Sequence, residues 1–136
     1  MGRFALDTNR KIRILVVDDN PSVRRNLRGA LEQHNNWRVC DEARSGRDAV
    51  DRFWKIRPDL VVLDFQMPEM NGLDAARILT QLSPDTPILI VTLYVSKQLS
   101  DEARKVGARG ACEKTDIGAV VDAVGALLRR ETYFPN

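Results

Sequence analysis

The 136-residue chain is poor in cysteine and histidine, has no long apolar run and carries little excess of either charge. Cys40 and Cys112 stand far apart in no metal-ligand spacing, which speaks against a thiolate metal centre. Both fall in apolar, strand-like contexts and read as buried free thiols, in keeping with a reducing cytoplasm. No apolar stretch approaches the roughly 20 residues that span a bilayer. The first residues, Met-Gly-Arg-Phe-Ala-Leu-Asp, lack the apolar core of a signal peptide. A net charge of +2, with basic residues spread along the chain, leaves no nucleic-acid footprint. The local cluster Arg10-Lys11-Arg13 reads as a solvated lead-in. His34, the only histidine, falls near the end of a helix. A phosphotransfer histidine needs a helical bundle, and this chain alternates strands with helices.

What is present suits one globular domain: 43% hydrophobic and 29% charged residues, with no internal repeat. Residues 1–10 carry no period and are expected to form a flexible tail. Short β-branched runs alternating with helical stretches then predict a parallel α/β sheet over about 11–130. Strands are expected at Ile12–Val17, Trp37–Ala43, Leu60–Leu63, Ile88–Val91 and Gly110–Glu113, the second less buried than the rest. Helices begin at Asn20-Pro21, with Asn as cap, at Ser45-Gly-Arg-Asp48, a capping-box pattern, and at Asn71-Gly72. A fourth, Lys97–Val106, has a thin apolar stripe and stops at Gly107. The last, Asp116–Arg130, is expected to bury Ile117, Val120, Val121, Val124, Leu127 and Leu128. Trp37 and Trp54 are expected to pack on or rim the core.

Four polar sites stand at the exits of the apolar runs: Asp18-Asp19, Asp64, Thr92 and Lys114. Ligands of a parallel sheet bind in the crevice at the strands' carboxyl ends, so these groups converge on one edge. With the first strand lying between the second and third, Asp18, Asp19 and Asp64 become neighbours. Carboxylates so crowded repel one another, and a hard divalent cation such as Mg²⁺ removes that cost. Asp64 then suits a covalent phosphoryl acceptor, Lys114 a partner charge and Thr92 a hydroxyl donor to the same group. Each residue alone has a plainer reading: Asp-Asp as a turn or cap, Thr92 as a strand residue, Lys114 as a solvated strand end. Their placement at matching strand ends favours chemistry.

The motifs Leu15-Val-Val-Asp-Asp19, Asp64-Phe-Gln-Met-Pro-Glu-Met-Asn-Gly72, Val91-Thr92 and Gly107-Ala-Arg-Gly-Ala-Cys-Glu-Lys114 resemble, in this order, the receiver domain of bacterial two-component response regulators. The resemblance covers about Lys11 to Arg130. It implies a flavodoxin-like, doubly wound five-stranded sheet in the order 2-1-3-4-5. It implies Asp64 as phosphoacceptor, with Thr92 as switch hydroxyl and Lys114 as phosphoryl partner. Asp19, Asp64 and the Gln66 backbone carbonyl would ligate Mg²⁺, and Asp18 would act through a water. A sensor histidine kinase would donate the phosphoryl group, in the cytoplasm, and dimerisation on phosphorylation would be one output. Neither direct nucleic-acid binding by this chain nor a membrane is expected. The C-terminal Leu127-Leu-Arg-Arg-Glu-Thr-Tyr-Phe-Pro135 resembles receivers of the NarL/LuxR subfamily. It makes 131–136 a tail or the start of a linker to a DNA-binding domain, and transcription the regulated process.

Three positions depart from the family pattern. Ala111 stands where an aromatic usually reports phosphorylation, Leu93 where a small residue usually follows the hydroxyl, and Thr115 where proline often follows the lysine. Tyr94 or movement of the fourth helix is expected to replace the missing aromatic. A second reading is a pseudo-receiver that binds partners without phosphorylation. A third is a Mg²⁺-dependent phosphohydrolase of the haloacid-dehalogenase kind, which needs a second acid two residues after its nucleophile. Gln66 occupies that position and cannot transfer a proton, so a phosphoryl acceptor is expected and not a turnover enzyme.

Overall fold

A computed structural model of the chain describes residues 10–135. The tail expected over 1–10 falls outside them except for Arg10, whose guanidinium pairs with Asp59 at 3.0 Å. Five strands and five helices alternate: β1 (Ile12–Val17), α1 (Pro21–Leu31), β2 (Trp37–Ala43), α2 (Gly46–Ile56), β3 (Leu60–Asp64), α3 (Gly72–Leu82), β4 (Ile88–Thr92), α4 (Lys97–Lys105), β5 (Gly110–Glu113) and α5 (Ile117–Leu128). The strands are all parallel in the order β2-β1-β3-β4-β5, a doubly wound, flavodoxin-like α/β fold.

The period-two alternation of strand side chains divides the core into two layers. Leu15, Val17, Val61, Leu63, Ile88, Ile90 and Ala111 face α2, α3 and α4, where Phe53, Ala76, Leu79 and Ala103 meet them. Ile14, Val16, Leu60, Val62, Leu89, Val91 and Cys112 face α1 and α5, against Leu27, Leu31, Val120, Val124 and Leu127. Because β3 and β4 lie inside the sheet with both faces covered, every residue of each is buried. β2 is an edge strand with a mixed burial pattern. Its register against β1 slips at Cys40, which has no partner between Val39 and Asp41. Cys40 is therefore half-buried, where burial was expected; Cys112, in β5, is buried.

Local chemistry sets the helix starts. Asn20 accepts hydrogen bonds from the Ser22 and Val23 amides at 2.8 and 3.2 Å, with Pro21 at the first helical position. Ser45 Oγ accepts from Asp48 N at 3.0 Å, but the return bond of the capping box goes elsewhere. Asp48 accepts from the amide of Arg44, one residue before the cap, at 3.2 Å. In α5 the buried stripe is narrower than its apolar composition predicts. Val120, Ala123, Val124, Ala126 and Leu127 are buried, and Ile117, Val121 and Leu128 are only partly so. An almost wholly apolar helix does not show which side faces the sheet. Trp37 packs in the core and stacks on His34, ring centroids 3.7 Å apart, whereas Trp54 is half exposed beneath the Arg57 guanidinium.

After α5 the chain turns back toward the outer edge of β5. Tyr133 forms a parallel bridge with Gly110: its amide donates to Arg109 O and its carbonyl accepts from Ala111 N, both at 2.9 Å.

Candidate functional site

The site lies at the carboxyl edge of the sheet, where β1, β3, β4 and β5 end side by side. The structure places Asp18 immediately after β1, Asp64 as the last residue of β3, Thr92 as the last of β4 and Lys114 immediately after β5. Asp18, Asp64 and Thr92 are buried and Asp19 is exposed. Asp18, Asp19 and Asp64 each offer a carboxylate oxygen within 4.8 Å of the others. Lys114 Nζ reaches into this cluster and donates to Asp18 Oδ2 and Asp64 Oδ1, both at 3.2 Å. Its backbone amide donates to the Thr92 carbonyl at 2.8 Å, tying the end of β5 to the end of β4. Gln66 is exposed in the loop after β3, and Leu93 and Tyr94 are exposed just past Thr92.

Several backbone devices hold the carboxylates in place. Asp18 Oδ1 accepts from the Asn20 amide at 2.9 Å, and the Asp18 carbonyl accepts from Arg24 at 2.6 Å. Asn71 caps α3 by accepting from Asp74 N at 2.9 Å. Gly72 lets that helix start directly against the end of β3. A methyl group there would collide with the Asp64 carbonyl oxygen and lie 2.8 Å from Phe65 Cα. The sequence marks Gly72 as a helix start and as the end of the Asp64–Gly72 motif but not this close approach; the glycine opening α3 eight residues after Asp64 is the available signal.

The electrostatics are unbalanced in a way that matters chemically. One lysine faces three carboxylates, and one of Asp64's oxygens, Oδ2, is buried with no hydrogen-bond partner. Burial, then the Asp18 charge, push the Asp64 carboxyl up to about 6, against the pull of Lys114. Burial alone lowers the Lys114 ammonium, but Asp64 and Asp18 outweigh it and raise it, so Lys114 stays charged. An unpartnered buried oxygen in an acidic cluster is the donor set a hard divalent cation takes, and the residues present fit such an ion. The arrangement can hold a cation beside a carboxylate nucleophile and set a lysine against an incoming anionic group.

Fold and site together define a doubly wound α/β domain with an acidic, cation-type pocket at its topological edge. The chain belongs to the response regulator receiver domain family, which matches residues 14–124. Among curated proteins it is 45% identical over 113 residues to a protein-glutamate methylesterase/protein-glutamine glutaminase of Pyrococcus abyssi, covering 83% of this chain and 28% of that protein. It is 31% identical to the transcriptional regulatory protein YxjL of Bacillus subtilis, covering 91% of this chain and 57% of that one. The chain thus spans little over half, or less, of these relatives. Among solved structures it superimposes on a two-component response regulator of the LuxR family from Aurantimonas sp. SI85-9A1 with a TM-score of 0.87 and 31% identity. That match covers 90% of this chain and 89% of the other. The relatives include methylesterases, transcriptional regulators and a chemotaxis protein CheY of Thermotoga maritima; what they share with this chain is the receiver. Among the described residues no helix is long and apolar enough to cross a membrane.

Proposed function

We propose that this chain is a phosphorylation-controlled switch in which Asp64 takes a phosphoryl group from a sensor histidine kinase. The observation that carries this reading is the state of the Asp64 carboxylate: Oδ1 is held by Lys114, and Oδ2 is buried and unpartnered among acidic neighbours. Mg²⁺ would be held by Asp19, Asp64 and the Gln66 carbonyl, with Asp18 acting through a water. When bound it would neutralise negative charge on the carboxylates and on the transferring group. An Asp64 oxygen attacks phosphorus, and the bonding pair of the P–N bond leaves with the donor imidazole, which takes up a proton. Lys114 stays charged and pairs with a phosphoryl oxygen, exchanging one carboxylate contact for another anion. Thr92 donates its hydroxyl to the same group, and that new bond biases the β4–α4 region between two arrangements.

The domain accepts and loses a phosphoryl group and does not turn over substrate, because Gln66 offers no acid for a leaving group. Output through partner or dimer affinity, in the cytoplasm and in control of transcription, is favoured by the LuxR-family structural relative, the curated regulator and the similar C-terminal segment. No direct nucleic-acid contact by this domain is proposed. The test is intact-protein mass after incubation with acetyl phosphate and Mg²⁺. The expected result is a gain of one phosphoryl group, absent from Asp64→Asn and from a metal-free control. A gain that survives Asp64→Asn, or no gain, overturns the assignment and favours the pseudo-receiver.

A further inference from the structure

The residues after α5 do more than trail away from the domain. At Tyr133 the backbone adds a one-residue parallel bridge to β5, so successive side chains fall on opposite faces of the sheet. The Tyr133 ring packs on the layer of α1 and α5. The Phe134 ring packs on the layer of α2, α3 and α4, and the Arg104 guanidinium of α4 lies over it at 4.0 Å. One short segment therefore clips both helical layers to the outermost strand. The sequence is fitted to it at Gly110, where a methyl group would lie 2.9 Å from the Tyr133 carbonyl oxygen. Ala111 leaves room on the same face: it presents only a methyl toward α4, fully buried, and Phe134 packs against the cluster that contains it.

We propose that Glu131–Pro135 is a latch: by clamping β5 and α4 it holds the unphosphorylated arrangement, and phosphorylation of Asp64 releases it. The inference rests on the reading of Asp64 as acceptor. The connection is short and physical. β5 is four residues long, with Ala111 bound to the latch and, just past its other end, Lys114 bound through its side chain to Asp64 and through its amide to Thr92. Redirecting Lys114 and Thr92 toward a phosphoryl group strains β5 and the start of α4 together. The partly exposed Arg104–Phe134 contact and the single bridge at Tyr133 are the weakest bonds on that route. Coupling is reciprocal, so loosening the latch favours loading of Asp64 as much as loading loosens the latch.

The experiment is amide hydrogen exchange on the full chain with and without acetyl phosphate and Mg²⁺, with phosphoryl occupancy read by mass in the same samples. The expected result is that exchange at Ala111 and Tyr133 accelerates about ten-fold on loading, while Val62 and Leu89 in the sheet interior do not change. Phe134→Ala and Arg104→Ala should each raise the ratio of loaded to unloaded Asp64, at a limiting acetyl phosphate concentration, several-fold over wild type, the usual scale of a coupling between sites. Loading without selective acceleration at Ala111 and Tyr133, or with acceleration across the whole sheet, overturns the latch and leaves Asp64 as acceptor. Variants that reach only the wild-type occupancy overturn it as well. Absence of any adduct on Asp64 overturns the acceptor reading and the latch with it.

Discussion

Asp64→Asn should make the protein more stable when no divalent cation is present. The carboxyl moves from 3.8 in the unfolded chain to about 6 in the folded one, driven by burial and by Asp18. At about 1.4 kcal/mol per pKa unit, keeping it ionised in the folded state costs about 3 kcal/mol above pH 6. The folded protein binds this proton more tightly, so the cost is absent below about 3.8, appears as pH rises and is complete above about 6. The amide removes the charge and gives the unpartnered Oδ2 position a donor toward its acidic neighbours, but it weakens the 3.2 Å contact with Lys114. Lys114 retains Asp18, so the net gain should be about 1–3 kcal/mol, or about 3–12 °C in melting temperature for a domain of this size. Circular-dichroism melts at pH 7.5 in EDTA provide the assay, with wild type and variant compared again in excess Mg²⁺. A variant that melts at or below wild type in EDTA refutes the electrostatic reasoning, whatever its phosphorylation behaviour.

Three further outcomes follow from the same geometry. Wild-type stability in EDTA should rise as pH falls from about 6 toward 3.8, the window in which the folded protein binds the Asp64 proton and the unfolded chain does not, and urea titrations at several pH values will show the slope. Lys114→Ala leaves Asp18 and Asp64 facing each other unneutralised and should cost about 3–5 kcal/mol in EDTA, the scale for breaking a buried ion pair. Mg²⁺ should restore part of it, read by the same melts. Gly72→Ala forces α3 away from the end of β3 and should cost about 1–3 kcal/mol while lowering Mg²⁺ affinity, measured by calorimetric titration.

The fold was readable wherever physical periodicity had one interpretation. Leu60–Leu63 and Ile88–Val91 are apolar throughout because helices cover both faces, and each strand proved one residue longer, taking in Asp64 and Thr92. Asn20, Ser45 and Asn71 announced their helices because the cap is a local hydrogen bond. The convergence of Asp18, Asp19, Asp64 and Lys114 followed from strand order alone. Facts that depend on a particular approach of two segments could not be read. The packing face of α5 was obscured by its uniform apolarity, and the slip at Cys40 depends on how β2 meets β1. The bridge from Tyr133 to Gly110 joins residues with no pattern of their own, since a single paired residue leaves no period in a sequence.

The carboxylate site is assembled from residues distant in the chain. Lys114 meets Asp18 across 96 positions and Asp64 across 50. During synthesis the three acids emerge first, and until β5 docks they face one another with no lysine among them. The pocket with its lysine is therefore complete only once the edge strand has docked.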